Sequence, residues 1–257
     1  MDSDSSQLWT AQVVGHLTPE EAKRLKESRL VITDETVVHR DYSGLRLSEF
    51  CSIRSSFTDC RFESMIIDTA AMGSGTTMSL YRNCSFDHTR IRGIAMGLAR
   101  FEHCSFESVV LNKWSLNAAD IIDCTFSGKL THCIFWGSPP PFWGDRYGKT
   151  SNEFSGNDFS GCKMVDTDFR WGVNLALQTL PSGPDYLYVE DGRAALSRAF
   201  PIVCGWMDER EKRIGLDWLK LLQNDVENGQ TQLFINGRTG RLAQIWPKFR
   251  AALEGRV

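Results

Sequence analysis

No stretch of the 257-residue sequence approaches the ~18–20 consecutive apolar residues of a membrane-spanning helix. No two of its cysteines stand as Cys-x-x-Cys, so a zinc ribbon or a thioredoxin-type dithiol has no support. No glycine cluster ends in the Lys of a phosphate-binding loop. Gly73-Ser74-Gly75-Thr76 comes nearest and reads as a bend. Neither sign of charge dominates: 29 basic side chains face 32 acidic ones, a net charge of -3, which excludes a generic polycation for nucleic acid. The opening Met1-Asp2-Ser3-Asp4-Ser5-Ser6 is polar and acidic, the reverse of a secretory signal. The eight cysteines are therefore expected as thiols in a reducing cytoplasm.

What is present is a period. Apolar residues recur every five positions at Phe86, Ile91, Met96, Phe101, Phe106, Leu111, Leu116, Ile121 and Phe126. An upstream phase runs Tyr42, Leu47, Ser52, Phe57, Phe62, Ile67, Met72, and a downstream one runs Phe154, Phe159, Met164, Phe169, with Phe135 isolated between phases. The residue two before each centre is usually small: Ser55, Cys60, Ala70, Cys84, Thr89, Ala99, Cys104, Ala119, Cys124, Cys133, Asn157, Cys162, Thr167. Met65, Ile94, Val109 and Trp114 are the exceptions. Five fits neither the helix period of about 3.6 nor the strand period of about 2.0. It requires a chain that turns after each short segment, with the centre and the small residue inward. Cys84, Cys104 and Cys124 lie 20 residues apart, so four units complete one coil, and stacked coils bury a core that one repeat cannot.

This pattern resembles the pentapeptide-repeat family, whose unit is roughly Ala-(Asp/Asn)-Leu-x-x. Asn157-Asp158-Phe159-Ser160-Gly161 and Thr167-Asp168-Phe169-Arg170 are similar to it most directly. The resemblance implies a mainly β fold: a right-handed quadrilateral parallel β-helix. It covers about residues 41–172, and departs from the family in its frequent Cys and in phase breaks near 72–81 and 127–153.

Three regions follow. Residues 1–40 are expected to form an N-terminal cap, with a helix from Thr18-Pro19-Glu20-Glu21 to about Ser28 and a strand at Leu30–Val38. Residues 41–172 form the β-helix. Residues 173–257 form a C-terminal α-helical cap, with Asp191 and Asp208 as helix N-caps and a last helix beginning or bending at Pro247. Caps at both ends would cover the exposed strand edges of the rod.

The cysteines read as small buried core residues, because rungs about 4.8 Å apart do not converge on a metal. Neither a catalytic residue, a metal site nor a cofactor is assigned. His88 and His103 are expected to point outward, and no nucleophile–base pair can be argued from spacing. The segment Gly137–Ser151, with three prolines and three glycines, reads as a loop thrown out from the rod. Its Phe142, Trp143, Arg146 and Tyr147, with Trp136 at the entrance, are the residue types of binding hot spots and form the candidate partner site.

The expected function is a non-enzymatic, cytoplasmic, bacterial protein-binding or scaffold protein, with an immunity or protective role against a protein target as one form of it. Neither direct nucleic-acid binding nor a membrane is expected, and a homodimer would use the C-terminal helices. Two alternatives stay open. One, implied by the family resemblance, is a DNA-mimicking protein that binds gyrase or another topoisomerase and confers resistance. Residues 41–172 carry 15 acidic and 13 basic side chains, with Arg82, Arg90, Arg92 and Arg100 read as a basic patch, which disfavours a field of one sign. The other is an enzyme with its site between the β-helix and the C-terminal helices.

Overall fold

The structure of the protein, a computed structural model, describes residues 28–95 and 97–256. The helix expected from Thr18, His16 and the repeat centre Met96 lie outside the described residues.

Within each repeat, the small residue and the centre point inward with one outward residue between them. A second outward residue follows, and the fifth turns the corner. That corner residue has a positive φ: Asp59, His88, His103, Asp123 and His132 lie between 50° and 60°. Asn, Asp and His tolerate this left-handed region better than most L-residues. All four described histidines (His39, His88, His103, His132) are such corner residues.

Four walls result, and parallel pairing fixes their register. Wall one aligns Asp41, Arg61, Ser85, Ser105, Thr125 and Asp158. Wall two aligns Arg46, Ile66, Arg90, Val110, Lys129 and Lys163. Wall three carries Cys51, Ala71 and Ala95, then Ser115, Ile134 and Asp168. Wall four aligns Thr36, Ser56, Leu80, Arg100 and Asp120. Pairing starts at Ser28, so Ser28–Thr33 and Thr36–Val38 already belong to the coils.

The core is built from two stacked columns. Tyr42, Phe62, Phe86, Phe106, Phe126 and Phe159 stack with centroids 5.0, 4.8, 4.7, 4.7 and 4.6 Å apart. Phe57, Tyr81 and Phe101 form the second, at 4.8 Å per step. Ring spacing equals rung spacing, which is why a flat aromatic suits a centre.

The small site is more than a space-filler. Cys104 Sγ donates to Glu102 O and Tyr81 O, both at 3.4 Å, and Cys60, Cys84, Cys124 and Cys133 repeat that geometry. Ser55 and Thr167 do the same with hydroxyls. A small side chain with one donor sits between the carbonyl just before the corner and a carbonyl of the preceding coil, so Cys, Ser and Thr interchange there.

The phase breaks have local causes. A normal coil spaces equivalent residues 20 apart, but from Ser55 to Ser79 the spacing is 24, taken up around Gly73 and Gly75 (φ 92° and 106°). Gly73 and Gly97 are in backbone contact, and a Cβ on Gly97 would stand 2.2 Å from Gly73 O. At Gly128 (φ 97°) the opposite occurs: one residue is dropped, and Leu130 becomes a buried centre before Phe135.

Past Gly172 a second core forms from an antiparallel pair, Tyr186–Val189 with Leu233–Asn236, and three helices: Gly192–Cys204, Glu209–Glu227 and Trp246–Leu253. Asp191 caps the first through Ala194 N (2.9 Å), and Asp208 caps the second through Arg210 N and Glu211 N (both 2.9 Å). This unit closes the last coil with amide side chains. Gln230 Oε1 accepts from Gly172 N and Val173 N, Gln232 Oε1 accepts from Leu175 N, and Asn236 Nδ2 donates to Met164 O. Phe234 meets Phe169 edge-on at 6.0 Å. These contacts satisfy backbone groups that an open end would leave for another strand.

Candidate interaction surfaces

The segment expected to be an open loop holds a helix, which we call α1, Pro141–Tyr147. Proline begins it at the position where a missing N–H is harmless, and Gly148 (φ 61°) ends it in the left-handed conformation. The clustered prolines and glycines that read as a loop are the start and stop of a short helix. Asn152 closes its base: its N donates to Gly137 O at 2.8 Å, and its Nδ2 to Trp136 O at 2.9 Å.

No residue of α1 is buried. Phe142 is 66% exposed and meets Trp143 edge-on at 5.1 Å, Trp143 stacks on Tyr147 at 5.7 Å, and the Arg146 guanidinium lies 5.8 and 5.9 Å from the Trp143 and Tyr147 ring centres. Four of the five expected residues therefore form one cluster. Trp136 does not join it: its Nε1 donates to Ser115 Oγ at 3.2 Å on wall three, and its ring packs edge-on against Trp171 at 4.9 Å.

The anchor of α1 is absent from the sequence expectation. Lys149 Nζ donates to Asp120 Oδ1 (2.6 Å) and Ala118 O (3.2 Å), and both side chains of that ion pair are largely buried. Asp120 also accepts from Glu153 N at 2.7 Å and Arg100 Nη1 at 3.3 Å, and Arg100 pairs with Glu102 and Glu153. Burial lowers the Lys149 pKa from the ordinary lysine value, with Asp120 opposing the shift. Nothing in the local sequence signals a contact across 29 residues.

The walls separate charge that the composition averages away. Wall one presents Asp41, Glu63, Asp87, Glu107 and Asp158, with Arg61 bridging Asp41 (3.5 Å) and Glu63 (2.8 Å). Wall two presents Arg46, Arg90, Lys129 and Lys163. The expected basic patch of Arg82, Arg90, Arg92 and Arg100 does not exist as one surface. Arg82 and Arg100 lie on wall four beside Glu102, while Arg90 and Arg92 lie on wall two. Neighbours in sequence are turned to different walls by the corner between them.

The crevice between the last coil and the helical cap, lined by Asp168, Trp218, Leu221, Asp225 and Phe234, encloses about 20 Å³. That is room for roughly one water. Among the described residues, no group of three or more His, Cys, Asp or Glu could hold a metal ion, and no helix is long and apolar enough to cross a membrane. Seven cysteines are buried and unbonded, and burial pushes the Cys133 thiol up to about 11 and that of Cys162 to about 12.

No family model and no curated protein matches the sequence. Among solved structures, a trypsin-treated form of QnrB1, a plasmid-mediated fluoroquinolone resistance protein, is 11% identical. The match covers 58% of this chain and 79% of that one, at a TM-score of 0.25. HetL, a pentapeptide repeat protein involved in heterocyst differentiation regulation from the cyanobacterium Nostoc sp. strain PCC 7120, is 11% identical. That match covers 65% and 92% of the two chains, at a TM-score of 0.23. The fold assignment rests on the repeat and the coil geometry described above.

Proposed function

We propose that this pentapeptide-repeat β-helix is a non-enzymatic binding or scaffold protein, and that α1 is where it grips a partner protein. One observation carries the reading: an aromatic cluster, Phe142, Trp143 and Tyr147 with Arg146 against two of the rings, stands outside the core on a helix with no buried residue. Phe142 is largely exposed and Trp143 and Tyr147 keep part of their ring surface open, so the cluster offers apolar area that a partner would bury. The Lys149–Asp120 pair ties this helix to a rigid wall, so little ordering is left for binding. An immunity or protective role against a toxin or enzyme is the form of scaffold this arrangement suits.

The test is affinity capture with the unaltered chain and with Trp143→Ala/Tyr147→Ala. Both positions are only half-buried, so the variant is expected to fold and to lose its partner. An unchanged set of captured proteins with unchanged circular dichroism removes the role of α1.

A second reading, topoisomerase binding through likeness to DNA, is supported by the carboxylates of wall one, which share one surface despite the near-neutral composition. A supercoiling assay with and without a topoisomerase inhibitor tests it. No effect at stoichiometric protein eliminates it.

A further inference from the structure

We propose that wall two is a second docking surface, and that its occupant is an acidic amphipathic helix of a partner protein lying along the rod. It is independent of the reading of α1. The wall's first outward column reads Arg46, Ile66, Arg90, Val110, Lys129, Lys163 in direct register. None of these four cations makes an ion pair among the described residues. Several other coil arginines are paired: Arg54 with Asp34, Arg61 with Asp41 and Glu63, Arg82 with Glu102, Arg92 with Asp68. Lys129 and Lys163 are direct partners on adjacent rungs, a like-charge juxtaposition that the fold itself leaves uncompensated. Ile66 is half-buried and Val110 is 38% exposed, so cations alternate with available apolar surface.

The spacing selects the partner. Rungs lie about 4.8 Å apart, close to the 5.4 Å rise of one helical turn. A helix carrying carboxylate, apolar, carboxylate, apolar, carboxylate, carboxylate on successive turns therefore meets the column residue for residue. The mismatch accumulates to about 3 Å over five turns, within the reach of Arg and Lys side chains. A helix about 10 Å across also fits a wall of about three extended residues. A DNA duplex or an anionic bilayer fits less well. Phosphates offer nothing to Ile66 and Val110, and a broad polyanion would also face the carboxylates of wall one across the shared corner.

The test uses the full chain and a fluorescent, helix-stabilised peptide of about 20 residues with Glu and Leu placed on successive turns in that order. A scrambled peptide of equal composition, a duplex DNA and anionic phosphatidylserine vesicles serve as comparison probes. Expected are binding that weakens as salt rises, at least about tenfold weaker binding of the scrambled peptide, and a similar loss in Arg90→Glu/Lys129→Glu. That variant should regain binding with a peptide bearing Lys in place of Glu. Equal binding of ordered and scrambled peptides by the unaltered chain overturns the proposal even if the variant does not fold. Tighter binding of DNA or vesicles than of the ordered peptide overturns it as well.

Discussion

Replacing Phe106 with Ala tests whether the aromatic column is a continuous close-packed core. Phe106 is fully buried, stacked at 4.7 Å on both Phe86 and Phe126, and edged by Trp114 at 5.4 Å and Phe101 at 5.8 Å. Truncating a buried Phe costs about 3–5 kcal/mol. Two features place this site at the upper end. Each aromatic pair adds about 0.5–1.5 kcal/mol beyond area burial. The wall also cannot close on the hole, because Phe86 N to Ser105 O (2.7 Å) and Ser105 N to Cys84 O (3.0 Å) hold its rungs at fixed spacing. The expected loss is about 4–5 kcal/mol, a large share of the ~5–15 kcal/mol that folded domains possess. Tyr42, which among the described residues stacks in the same column on Phe62 alone (5.0 Å), should cost about 2–3 kcal/mol when truncated. Urea unfolding followed by far-UV circular dichroism measures both. Because each coil touches only its neighbours, the Phe106→Ala transition should also broaden. A loss below about 1 kcal/mol for Phe106→Ala, or equal losses at the two positions, would refute the reasoning.

Two further predictions concern buried polar groups. Burial raises the Asp225 carboxyl from 3.8 to about 6, opposed by Arg170 and reinforced by Asp168. A carboxyl with a raised folded pKa disfavours folding increasingly as pH climbs from about 4 to about 6, and by a constant amount above. Asp225→Asn should therefore stabilise the chain by on the order of 3 kcal/mol at pH 7 and by well under ~1 kcal/mol at pH 4; the same gain at both pH values sinks the argument. Of the eight cysteines, Cys204 alone is exposed. A thiol-reactive dye should label one site quickly and the other seven only in denaturant, and rapid labelling of two or more sites contradicts the buried column.

The inward half of this molecule was legible from the chain alone. Centres and small sites recur at a fixed interval, and burial at Phe57, Phe62, Phe86, Phe101, Phe106, Phe126, Phe154, Phe159 and Phe169 follows that interval. The caps at Asp191 and Asp208 were legible too, because N-capping depends on residues two or three apart. Leu130 was missed because a one-residue deletion at Gly128 shifts the phase. The outward half was less accessible. Whether an outward charge meets its like or its opposite depends on the residue one coil away, at 20, 24 or 33 positions depending on the insertions between.

Sequence by itself thus determined the coil, its core and the class of fold, since these arise from a short period repeated many times. Tertiary structure alone decided the surfaces. It drew Phe142, Trp143, Arg146 and Tyr147 together while sending Trp136 to Trp171, bound Lys149 to Asp120, and split a near-neutral rod into an acidic wall and a basic one. The physical reason is that burial acts on every repeat alike, whereas charge and aromatic contacts are settled by which coil lies next door.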